Sequence, residues 1–220
     1  DSAFSWVKQF FFDTSWYYVT DLDNRVQSDD WTFTPLQFTT QTGWHWSANV
    51  STNHEVLASD YELVPGATIP AGSYNFVAGH MNMNSPSSNP LGFGFSAEAG
   101  NIYDGHYKDF FPNVSWSAPG GHFTASLLDG ALWVYTPQGN GIVRVSELNL
   151  GYSFTPDLTL STLTQYNNIS HTVSENAILQ WNIQPDRIFD VVWNHGLTMN
   201  PNLLQGQQTI AGNTVLVKLA

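Results

Sequence analysis

The chain has 220 residues, no cysteine and only 11% charged residues, with six Lys and Arg against eighteen Asp and Glu for a net charge of −12. The missing cysteines exclude a disulfide scaffold and thiolate metal sites, and the acidic balance excludes a basic face for nucleic-acid phosphates. A charged share so far below the usual ~25%, beside 42% hydrophobic and 15% aromatic residues, fits two kinds of protein: a membrane barrel with an apolar band and aromatic girdles, or a soluble, aromatic-rich carbohydrate-binding sandwich.

No stretch approaches the roughly 18 apolar residues of a membrane helix. Period-2 segments alternate with turn-rich ones along the whole chain. Strands are predicted near 4–21, 25–40, 43–54, 73–84, 91–102, 106–117, 122–136, 141–154, 158–168, 171–183, 187–195 and 213–220. Pro35 interrupts the second and predicts a bulge there, because proline has no N–H for a ladder. In 44–51, Trp44, Trp46, Ala48 and Val50 oppose His45, Ser47, Asn49 and Ser51. In 91–100, Leu91, Phe93, Phe95 and Ala97 oppose Gly92, Gly94, Ser96 and Glu98. In 147–154, Leu148, Leu150, Tyr152 and Phe154 oppose Glu147, Asn149, Gly151 and Ser153. In 172–184, Val173, Ala177, Leu179, Trp181 and Ile183 share one face, with Glu175 interrupting it.

These runs are long for soluble strands, which average about five or six residues, and suit transmembrane strands of about nine to eleven. Their polar faces carry Asn, Gln, Ser, Gly and Thr rather than Lys and Glu, as a hydrated, enclosed lumen requires. The expected fold is therefore all-β: one antiparallel transmembrane β-barrel of about twelve strands spanning 1–220. Short connections at Gln41-Thr42-Gly43, Ala118-Pro119-Gly120-Gly121, Thr155-Pro156-Asp157 and Gln184-Pro185-Asp186 alternate with longer ones near 55–72 and 196–212, as in outer-membrane barrels. An even strand number puts both termini on the periplasmic side. Asp1-Ser2-Ala3 is not a signal-peptide n-region, so a mature or trimmed chain is expected, incomplete at both ends.

The alternation assigns roles. Glu98, Glu147, Asn149, Gln165, Asn167, Asn176, Gln180 and Asn182 are expected to face the lumen. Trp44, Trp46, Tyr152, Phe154, Tyr166, Trp181 and Trp193 are expected at the membrane interfaces. Asp21, Asp23, Asp29 and Asp30 cluster near one hairpin and are weak candidates for a Ca²⁺ site; a solvated acidic loop is the simpler expectation. Tyr103-Asp104-Gly105 reads as a turn in which Gly takes positive φ. The seven histidines show no metal-ligand spacing. Ser170 and His171 are neighbours on a strand and so point to opposite faces, which argues against a hydrolytic dyad. Glu175 is expected near the outer rim, since an acid in mid-bilayer costs a few kcal/mol. No cofactor is expected.

From about Asp60 onward the chain resembles a bacterial outer-membrane family without assigned activity, whose members carry a carbohydrate-binding, family-9-like module before a C-terminal barrel. The resemblance rests on Ile69-Pro70-Ala71-Gly72-x-Tyr74, on Tyr103-Asp104-Gly105, and on Tyr152-x-Phe154-x-Pro156-x-Leu158-x-Leu160. It continues in Gln165-Tyr166-Asn167, in Asn176-Ala177-x-Leu179-x-Trp181 with Pro185, and in the closing Val217-Lys218-Leu219. The first sixty residues match in pattern only. The carbohydrate-binding module has no counterpart in this chain, and Ala220 stands where such barrels usually end in an aromatic residue. The resemblance implies a membrane barrel and supplies no catalytic residues.

The sequence therefore leads to a non-enzymatic barrel of the bacterial outer membrane. Its expected role is a channel, translocation or anchoring component, in contact with lipid and with other outer-membrane or periplasmic proteins. Two readings compete: a soluble carbohydrate-binding sandwich, and an outer-membrane hydrolase.

Overall fold

The computed structural model describes residues 4–199 and 208–219. It is all-β. The strands are β1 (Val7–Thr20), β2 (Val26–Thr40), β3 (His45–Leu57), β4 (Tyr61–Val64), β5 (Ala67–Ile69), β6 (Gly72–Asn84) and β7 (Leu91–Ile102), then β8 (Gly105–Ser117), β9 (Phe123–Thr136), β10 (Gly139–Thr155), β11 (Leu158–Asn167), β12 (Thr172–Gln184), β13 (Arg187–Met199) and β14 (Gln208–Leu219). Twelve of them form one sheet in chain order, β1-β2-β3-β6-β7-β8-β9-β10-β11-β12-β13-β14, and β4-β5 pair separately. The strand ends differ from the predicted ones by a few residues, with larger extensions around the last connection.

Two compact units are distinguishable. Of the described residues, unit 1 comprises 4–88, 94–112 and 131–142; unit 2 comprises 89–93, 113–130, 143–199 and 208–219.

In unit 1 the register keeps each face continuous from strand to strand. On one face Phe10 pairs with Phe38, Phe38 with Trp46, Trp46 with Met83, and Met83 with Phe95. On the other, Asn49 pairs with His80 and His80 with Glu98. The bulge predicted at Pro35 is present. Val50 of β3 faces Phe33, whereas Ala48, two residues earlier, faces Leu36. The extra residue lets Phe33 and Leu36 share the apolar face, and proline sits where its missing N–H costs no ladder bond.

In unit 2 the apolar row runs Tyr152, Leu160, Leu179, Val191, Val217, each paired with the next. The polar row runs Asn149, Leu163, Asn176, Asn194, Thr214. Leu163 is its one apolar member. A one-residue slip anywhere would exchange the two faces, so the pattern itself fixes the register.

Three sequence expectations are corrected. The segment 55–72 is not an irregular loop, since β3 runs to Leu57 and the β4-β5 hairpin fills most of the rest. The segment 196–212 is shorter than expected, because β13 continues to Met199 and β14 begins at Gln208. Trp44 is not a strand residue. It closes the tight turn after β2, where Thr40 N–H donates to its carbonyl at 2.9 Å.

The β4-β5 hairpin forms the most tightly packed part of unit 1. Val64, Ala67 and Ile69 are buried, as is Val134 of β9 at 1% exposure. The hairpin lies against the start of β10, where glycines make room for it. A Cβ on Gly141 would stand 2.7 Å from the Val64 side chain, and one on Gly139 would stand 3.2 Å from the Gly66 carbonyl. Burying Val64 and Ile69 contributes roughly 2 kcal/mol each. The hairpin also closes on itself. Gly66, at φ +85°, donates its N–H to Glu62 at 2.9 Å, and Ala71 N–H donates to Asp60 at 3.0 Å.

Replacing Gly141 by Val forces two branched side chains into one space. The expected cost is roughly 1–3 kcal/mol, read as faster proteolytic cleavage within 58–71. Unchanged cleavage would mean that the hairpin does not depend on this seat.

Candidate functional site

The polar face of unit 1 carries a cavity of about 330 Å³ lined by Ser51, Asn53, Glu55, Phe76, Ala78, Glu98, Asn101, Ile102, Tyr103 and Tyr107. Strands β3, β6, β7 and β8 contribute to it, and the β7-β8 turn closes it. Antiparallel pairing sets Asn53 directly beside Phe76, Glu55 beside Tyr74, and Ala78 beside Gly100. Gly100 is required there, since a Cβ would stand 2.8 Å from Ala78 Cα.

Tyr103 organises the cavity. Its ring meets Tyr74 at 5.0 Å and Phe76 at 5.1 Å, both edge-on, and Tyr61 of the hairpin at 6.4 Å. Its hydroxyl donates to Glu55 Oε2 at 3.3 Å. Burial pushes the phenol up to about 12, and the neighbouring Glu55 carboxylate adds to the shift. Tyr103 also takes φ 52°, the left-handed region that non-glycine residues adopt at a cost and that gathers at functional sites. The expected role of Gly105 is thus corrected. The positive φ belongs to Tyr103, and Gly105 is needed for close approach, because a Cβ would stand 2.9 Å from Thr136 Cα.

Glu98 accepts a hydrogen bond from the Tyr107 hydroxyl, and its own N–H donates to Asp109 at 2.8 Å. His80, opposite Glu98, is held between Asn49 at 3.2 Å and Ser96 at 2.9 Å. Among the described residues no three His, Asp or Glu side chains converge as metal ligands.

In unit 2 the sequence-assigned polar residues share a face. Gln165 Nε2 donates to Glu147 Oε2 at 3.1 Å, and Asn149 Nδ2 donates to Oε1 of the same carboxylate at 2.8 Å. Asn176 Nδ2 donates to Asn194 at 2.6 Å. Gln180 stands between Thr159 and Asp190, and Asn182 beside Ile188. Asn167 Oδ1 serves the next turn, accepting the N–H groups of Ile169 and Ser170. A second polar hollow of about 420 Å³ includes Gln165, Ser174, Asn176, Asn194 and Thr214.

The assigned aromatics, Trp44 apart, lie on the opposite, apolar face. Trp46 meets Phe95 in unit 1 at 6.4 Å. In unit 2, Tyr152 meets Phe154 at 4.8 Å, Tyr166 pairs with Val173, and Trp181 pairs with Phe189. Trp193 donates its indole N–H to Asn213 at 2.8 Å. Glu175 does not interrupt this face alone. It belongs to a row, Thr164, Glu175, His195, Asn213, each paired with the next.

The four aspartates are not brought together. Asp21 accepts the N–H groups of Asp23 and Arg25 within its turn. Asp29 accepts from the Trp16 indole at 2.6 Å. Asp30, next in β2 and so on the other face, takes Ser28 at 3.2 Å and Asn53. The Ser170 hydroxyl pairs with Thr172 at 2.6 Å, and His171 sits in a turn at φ 50°, so no Ser–His bond forms there.

Comparison with known proteins adds no relative: no family model, no curated protein and no solved structure matches the chain.

The raised value of Tyr103 has a signed consequence. Its protonated phenol adds stability fully below its ordinary value near 10, and loses it as pH rises through about 12. Absorbance titration of tyrosinate should show a late phase near pH 12 that loses one tyrosine in Tyr103→Phe. A titration unchanged by that substitution would contradict the assignment.

Proposed function

We propose that the protein is a β-barrel of the bacterial outer membrane that acts as a channel, translocation or anchoring component. The observation that carries this reading is the segregation of the two faces along strands of ten to seventeen residues. Large apolar side chains stand exposed on one face, among them Phe154 at 51% and Trp181 at 47%. A water-soluble sheet would cover such a surface, whereas lipid accepts it. The other face carries hydrogen-bonded Asn, Gln, Ser and carboxylate groups, suited to a hydrated interior.

Closing the twelve-stranded order on itself would satisfy the outer edges of β1 and β14, as spanning a bilayer demands. The motif order from Asp60 onward agrees with this reading. The β4-β5 hairpin, seated on the glycines of β10, would then narrow the interior, so a small or gated conductance is expected rather than a wide pore. The competing carbohydrate-binding sandwich buries its apolar faces between two sheets; here all twelve long strands follow one sheet order.

Extraction that requires detergent, with a gel band whose mobility shifts on boiling, is the expected behaviour. Solubility in plain buffer without a shift would sink the membrane reading and favour glycan-binding assays. A paired substitution refines the test. Leu179→Arg, on the apolar face, should lower stability in bilayers by roughly 2–4 kcal/mol, while Asn149→Arg on the polar face should cost much less. Equal effects would mean that the two faces meet the same solvent.

A further inference from the structure

We propose that the cavity in unit 1 is a binding site for a small organic ammonium ion, held between carboxylates and aromatic walls. The inference rests on the outer-membrane reading only for the compartment the cavity opens to.

The charge on its lining is one-sided. The Tyr103 hydroxyl is spent on Glu55 Oε2, and the Tyr107 hydroxyl on Glu98 Oε1. Asn53 Nδ2 is spent on Asp30, and Asn101 Nδ2 on the Asn75 carbonyl at 2.9 Å. What remains is unbalanced in charge: the second oxygens of Glu55 and Glu98 stand against no cationic side chain, beside the neutral Ser51 hydroxyl and the second amide N–H groups of Asn53 and Asn101. No Lys or Arg lines the cavity. Such a site takes a donor that carries positive charge.

The walls say which kind. Phe76, Tyr103 and Tyr107 give aromatic surface, and rings attract a cation over their faces. A volume of about 330 Å³ falls at the lower end of small-molecule sites. The absence of a converging metal-ligand set among the described residues favours an organic cation over a bare metal ion. Neutral sugars also use aromatic walls, but two carboxylates with no Lys or Arg on the lining favour a charged donor over a neutral one.

The test uses folded protein in detergent and labelled putrescine in equilibrium dialysis, with the boiling-dependent gel shift recorded on the same sample. Saturable binding is expected. It should weaken at least about tenfold, the loss that charged hydrogen bonds give, in the double variant Glu55→Gln with Glu98→Gln. It should survive Glu147→Gln, which removes a carboxylate from the polar face elsewhere. Non-saturable uptake, or equal weakening by Glu147→Gln, would reduce the site to general acidity and overturn the proposal. Competition by maltotriose would overturn it in favour of a sugar site. The gel shift separates the two readings. A shift without binding rejects this site and leaves the barrel, and binding without a shift does the reverse. A double variant that keeps the parent's gel behaviour has folded, so its weakened binding reports on the site.

Discussion

The backbone ladder between neighbouring strands is the interaction on which everything else in this protein depends. Each long strand takes its hydrogen-bond partners from strands beside it in a nearly sequential order, and side chains alternate across the sheet with a period of two. Once one pairing is set, every later pairing is held to it, because a slipped strand would carry its apolar side chains to the polar face. Phe10, Phe38, Trp46, Met83 and Phe95 line up on four separate pairings for this reason. The same constraint lines up Asn49, His80 and Glu98 on the other side. The walls of the cavity beside them are a product of that register, and the β7-β8 turn closes it through Tyr103.

Polar groups on the apolar face follow the same logic. Glu175, His195 and Asn213 would each be an intrusion if scattered. In register they make a single polar row with Thr164, so the disturbance is gathered at one level of the strands. The Asn213 side chain is tied to the Trp193 indole, an amphipathic ring with one polar edge and one apolar body. Tryptophan is suited to a level where the surroundings change from apolar to wet.

Much of this was legible in the sequence. The twelve long strands could be read because their alternation runs for eight residues or more, and Pro35 marked its own bulge. The residues assigned to the two faces followed from parity alone, and the structure pairs Gln165 with Glu147 and Asn176 with Asn194 as parity requires. The β4-β5 hairpin was not legible. Its strands have four and three residues, too few for a periodic signal, and Pro65-Gly66 and Ile69-Pro70 read as loop. Its seat left only the two glycines of β10 as a trace. The cavity was hidden for another reason. Glu55, Phe76, Glu98 and Tyr103 are far apart in the chain, and only pairing across three strand interfaces brings them together. The Tyr103-Asp104-Gly105 motif pointed to the right turn but to the wrong residue for its unusual backbone.

The hairpin's seat has a consequence for how it responds to its surroundings. Val64, Ala67 and Ile69 hold it by shape and apolar burial, and its carboxylates at Asp60 and Glu62 are spent on its own backbone. Ionic strength has little hold on such a contact, because among the described residues no ion pair joins the hairpin to its seat for salt to screen. Temperature does, since apolar burial weakens on cooling. An element fixed in this way stays put as ionic strength changes and loosens toward the cold.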